Sequence, residues 1–123
     1  MAVRPPSQFT TSDRDPLSRL LEQEVMGEKA ATLGRLMKKL ETALSRLRAH
    51  EERLEAEKAA GKAAPSDPTR HERLTAEAGE ALWHVVIQRE LCGFRRHDGL
   101  MRELAVPAAV RLRMGPATAF RKR

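Results

Sequence analysis

The chain has 123 residues, a third of them charged, a net charge of +6, 3% aromatic residues and no tyrosine, which suits a single domain rich in the helix-favouring Ala, Leu, Glu and Arg. No stretch alternates like a strand and no apolar run approaches the roughly 20 residues of a membrane-spanning helix, so the expected fold class is all-α with no membrane partner. The first residues lack the apolar core of a secretory signal and the lone Cys92 has no partner for an internal disulfide, which points to a reducing, cytoplasmic setting.

Residues 1–15 carry Pro5, Pro6 and a Thr10, Thr11, Ser12 run without periodic apolar positions, and read as a flexible arm. Asp15 then offers a capping carboxylate in front of Pro16, a residue suited to the first helical position because its missing N–H would have no partner there. A helix over about 16–60 is predicted. Its first part sets Leu17, Leu20, Leu21 and Val25 on one stripe, and the phase slips near Gly27, where a kink or break is expected. From there Met26, Leu33, Leu40, Leu47 and Leu54 recur every seven residues, with Ala30, Met37, Leu44 and Glu51 between them. Such 3,4 spacing over four heptads is a seam for packing on another helix.

Residues 61–68 form a turn, and so short a connection makes the next helix fold back antiparallel. Asp67 and Pro68 repeat the start signal and predict a second helix over about 69–105, stopped by Pro107. From Ala81 to Ile87 only His84 interrupts the apolar residues, which on a helix covers every side, Leu82 and Val86 included. Two stripes emerge: a bulky one of Trp83, Ile87, Phe94 and Met101, and a smaller one of Ala78, Val85, Cys92 and Gly99. The first helix can cover only one, the other needing a second copy or the C-terminal segment, and the bulky stripe is expected to be one core face. A short third helix over 107–114, with Val106, Val110 and Met114 inward, and a basic tail at 115–123 complete the chain.

The expected architecture is therefore one helical domain, 16–114: a long, coiled-coil-like antiparallel hairpin with a short third helix. Alone it would leave an apolar face in water larger than the few hundred Å² a monomer tolerates. A homodimer resembling a four-helix bundle follows. Its core and dimer packing residues are expected to be Leu33, Met37, Leu40, Leu44, Leu47, Leu82, Trp83, Val86, Ile87, Phe94 and Met101.

Motifs for chemistry are weak. Cys92, His97 and Asp98 are the residue types of a cysteine-nucleophile triad, but on a continuous helix Cys92 and His97 diverge by about 140°. Only a break at Gly93 or Gly99 could bring them together. A buried structural cysteine is the simpler reading. Glu80 and His84 share a helix face at i, i+4, yet neither Glu-x-x-His nor His-Glu-x-x-His occurs, so no metal is expected. No glycine-rich phosphate cradle is present, and no cofactor is implied.

Charge is placed unevenly. Residues 1–88 balance 14 basic against 14 acidic side chains, while 89–123 hold 9 against 3. This permits a nucleic acid at Arg95, Arg96, Arg102, Arg111, Arg113, Arg121, Lys122 and Arg123. Solvated arginines remain the plainer reading, because few aromatics stand between them for base stacking. The functional expectation is a non-enzymatic, homodimeric interaction or scaffold module with an unidentified protein partner; the alternative is a nucleic-acid-associated dimer.

Overall fold

A computed structural model describes residues 15–62 and 68–117. Among these the chain is all-helical, with two long helices, α1 (Pro16–Ala59) and α2 (Pro68–Leu91), and two short ones, α3 (Asp98–Glu103) and α4 (Ala108–Leu112). The 1–15 arm, apart from Asp15, and the end of the tail, Phe120, Arg121, Lys122 and Arg123 among them, lie outside the described residues.

At the start of α1 the Asp15 carboxylate accepts from the Leu17 N–H at 3.1 Å and from the Ser18 hydroxyl at 2.9 Å, satisfying donors the first turn leaves orphaned. The helix then runs 44 residues through Gly27 without the expected break. Gly27 has open space around it, so it costs helix propensity and nothing else. What changes there is the partner. The Gln88 side-chain amide donates to the Lys29 carbonyl at 3.1 Å and the Lys29 ammonium to the Leu91 carbonyl at 3.3 Å, while at the far end His71 meets Glu51 at 3.0 Å. α2 thus runs antiparallel beside residues 29–51 of α1. Residues 16–28 overhang its end by about 20 Å at 1.5 Å per residue.

The second helix does not reach 105. It stops at Leu91 because Gly93 takes φ +100°, and the Gly93 and Phe94 N–H groups turn back to the Glu90 and Arg89 carbonyls. This pair of bonds closes a helix end around a left-handed residue that glycine adopts freely. Gly61 ends α1 in the same way. So does Ala105 after α3, at φ +49° and without glycine's freedom. Gly99, the other expected bend, sits inside α3. The short helix after Pro107 spans 108–112 and not 107–114.

The core unites Leu40, Leu44 and Leu47 of α1 with Leu74, Ala78, Leu82 and Val85 of α2 and with Val106 and Val110; Leu33, Met37, Val86 and Met101 pack around it, partly buried. α1 therefore covers the small stripe of α2, not the bulky one. Trp83 is half-buried, while Ile87 and Phe94 are 40% and 49% exposed. Leu74, Ala78, Leu82 and Val85 follow one another at spacings of four, four and three, which sets them on one face of α2 in the cluster with the α1 leucines. Gly79 of α2 lies so close to the Arg113 carbonyl that a Cβ there would collide with it. The C-terminal segment is tied down beyond this point, with Arg48 donating to the Leu104 and Ala105 carbonyls and the Ala117 N–H donating to Glu80 at 3.1 Å. Met114, expected inward, is 40% exposed.

Candidate functional site

Three groups of side chains could carry function. The first lies where α2 ends. The turn at Gly93 folds His97 back onto the last turn of α2, where Arg89 Nε donates to His97 Nδ1 at 3.0 Å and Arg89 Nη2 to the Arg96 carbonyl at 3.0 Å. Accepting at Nδ1 fixes the neutral tautomer with its proton on Nε2, which faces Glu90 Oε2 at 3.3 Å. The Arg89 guanidinium also stacks 4.6 Å above the Phe94 ring. A cavity of about 300 Å³ beside it is lined by Glu90, Gly93, Phe94 and Arg95.

The break that could have united the triad thus occurs, and it spends both ring nitrogens of His97 on Arg89 and Glu90. Cys92 is half-buried in the same turn. Nothing in this arrangement aims a base at the thiol, which nucleophilic catalysis requires. Glu80 is likewise engaged, with the Ala117 N–H, and His84 is exposed, lying against Trp83 at 5.3 Å between ring centroids. No cluster of three potential metal ligands exists among the described residues.

A second group, which the sequence reading missed, closes the opposite end of the long pair. His50 follows Leu47 by three residues, on the edge of the heptad seam, and that spacing is the signal that could have found it. It is 6% exposed, and its Nε2 has no hydrogen-bond partner. Its ring lies 6.0 Å from that of His71, itself held by Glu51. Burial pushes the His50 pKa below 6.5, and the positive charges of Arg70 and Arg53 and the neighbouring His71 push the same way, against a small upward pull from Glu51.

The described arginines differ in exposure. Arg95, Arg96, Arg102 and Arg111 are exposed, Arg113 is half-buried beside Gly79 with its own interactions, and Arg89 is committed to His97. The third group is apolar. On the overhang Leu17, Leu20, Leu21, Val25 and Met26 are 50–63% exposed, and around the end of α2 so are Leu91 at 56% and Phe94 at 49%. No helix among the described residues is long and apolar enough to cross a membrane.

These features define an all-α protein of two long paired helices, sealed along one side by a C-terminal segment carrying two short ones. Residues 44–122 match a family of unknown function, DUF6665, and the chain belongs to that family. The matched segment holds the core from Leu44 onward and both polar clusters; the overhang precedes it. No curated protein and no solved structure matches the chain.

Proposed function

We propose that this protein is a non-enzymatic helical interaction module that works as a homodimer in the cytoplasm. The observation that carries this reading is the apolar surface one copy leaves in water, on the overhang and around the end of α2. Monomers seldom keep contiguous apolar patches beyond a few hundred Å². A second copy covering them gives a coiled-coil-like assembly of two hairpins resembling a four-helix bundle. The commitments of His97 and Glu80 to neighbouring groups support a structural role for these side chains over a chemical one. Light scattering coupled to size exclusion tests the reading. A dimer mass is expected, and a monomer at every concentration would sink it.

Nucleic acid binding is a second reading, favoured by the exposure of Arg95, Arg96, Arg102 and Arg111. Its signature is affinity that falls steeply with salt, by a slope of about 0.9 per phosphate neutralised on duplex DNA. Salt-independent or absent binding to both DNA and RNA removes it.

A further inference from the structure

Of the apolar surfaces, the overhang is the one whose pattern names its own partner. Leu17, Leu21, Glu24 and Glu28 follow one another at spacings of four, three and four, which sets them along a single line of the helix, with Leu20 and Val25 to either side. The leucines occupy its N-terminal half and the two glutamates its C-terminal half. Every residue from 16 to 28 is exposed apart from Ser18, so nothing described in this chain covers the stripe. Met26 faces away from it, in line with Leu33 and Leu40, so the stripe and the seam that meets α2 lie on different sides of α1.

We infer that residues 16–28 of two copies pair with each other, antiparallel, about a twofold axis near Leu21. This rests on the homodimer reading and names its contact surface. Charge decides the orientation. In a parallel pair Glu24 would face Glu24 and Glu28 would face Glu28, four carboxylates in two repelling rows. In the antiparallel pair Leu20 and Leu21 of both copies meet in the middle and Leu17 lies against Val25. Glu24 and Glu28 then lie along the partner's first turn, where the capping Asp15 is the one acidic group, so the two rows of facing glutamates are avoided. The surface is self-complementary, as a twofold contact must be. A different protein would need an apolar stripe matched to an acidic half, whereas a second copy supplies that match unaided.

Length sets the strength. Two helical segments about 20 Å long, of the usual 10 Å width, bury less than the roughly 1,200 Å² at which stable specific interfaces begin. Association is therefore concentration-dependent, with monomer and dimer in measurable exchange.

Sedimentation velocity on the full chain over a range of concentrations tests this. Leu21 is 54% exposed and lies outside the core and the family-matched segment, so Leu21→Asp leaves the fold in place, checked by circular dichroism. Because the substitution is present in both copies at the centre of the contact, it weakens dimerisation by roughly a hundredfold. The pair Glu24→Lys with Glu28→Lys, which keeps good helix formers at both positions, also weakens it. A wild-type dimer that is untouched by Leu21→Asp but dissociated by Ile87→Asp overturns the inference and keeps the homodimer reading. Tighter association on charge reversal of the glutamates overturns the antiparallel orientation. A wild-type chain that stays monomeric throughout overturns both.

Discussion

Glycines at the same nominal position in a helix have opposite effects here, and the difference lies in what stands over each. Gly34 lies inside α1 with no atom near a would-be Cβ, whereas Gly79 lies inside α2 beneath the Arg113 backbone. Gly34→Ala is expected to raise stability by about 0.5–1 kcal/mol through reduced freedom of the unfolded chain. Gly79→Ala gains the same propensity but must displace a backbone carbonyl, and is expected to lower stability by about 1–3 kcal/mol in chemical denaturation. If both alanines stabilise, the C-terminal segment does not pack on α2 as described. Ala105 is the reverse case, since a residue with a side chain is held at φ +49° where the ends of α1 and α2 use glycine. Ala105→Gly is expected to be neutral to stabilising, by up to about 1 kcal/mol, despite removing a methyl group.

The lengths and breaks of the elements follow from such choices. An all-helical chain with two long helices was legible in the sequence because propensity, the Asp-Pro start signals and a seven-residue repeat all pointed the same way. The phase slip at Gly27 was legible too, but its meaning was not: it marks where α2 ends beside Lys29, and only tertiary contact distinguishes a change of partner from a break. The end of α2 was misplaced because the 3.6-residue pattern continues past Gly93, so Phe94 and Met101 seemed to extend the bulky stripe. Gly93 with an aromatic residue after it is the local signal that outweighs the pattern. Long-range polar pairs such as Arg89 with His97 left no periodic trace at all. Arg89 nonetheless fixes the loop between α2 and α3, stacking on Phe94 and bonding to His97 and the Arg96 carbonyl. Arg89→Ala is expected to leave the core melting transition nearly unchanged while amide exchange over residues 94–98 accelerates about tenfold or more. Unchanged exchange there would mean that the turn at Gly93 holds the loop without it.

Across the whole molecule, the two ends of the long pair are finished with opposite chemistry. Where α2 ends, a neutral histidine is fully bonded between Arg89 and Glu90; where α2 begins, beside residues 50 and 51 of α1, His50 is buried with one nitrogen unpartnered among Arg53, Arg70 and His71. Burial, with those cationic neighbours, depresses the folded-state pKa of His50 below 6.5. As pH falls through 6.5 the unfolded chain takes up a proton that the folded chain refuses, so proton binding favours unfolding. The contribution of a neutral His50 to stability is therefore complete above about pH 7 and is lost progressively below 6.5. Thermal melts are expected to be flat in mildly alkaline buffer and to fall through mild acid, with exchange at the closed end, around residues 50 and 71, rising before the rest of the core. His50→Leu removes both the titrating ring and its unsatisfied nitrogen while keeping side-chain volume and helix propensity. It is expected to be at least as stable as the parent near neutrality and to lose most of the acid slope, since a buried polar atom without a partner costs more than the apolar atoms that replace it. An acid slope that survives unchanged in His50→Leu would overturn its assignment to the buried ring.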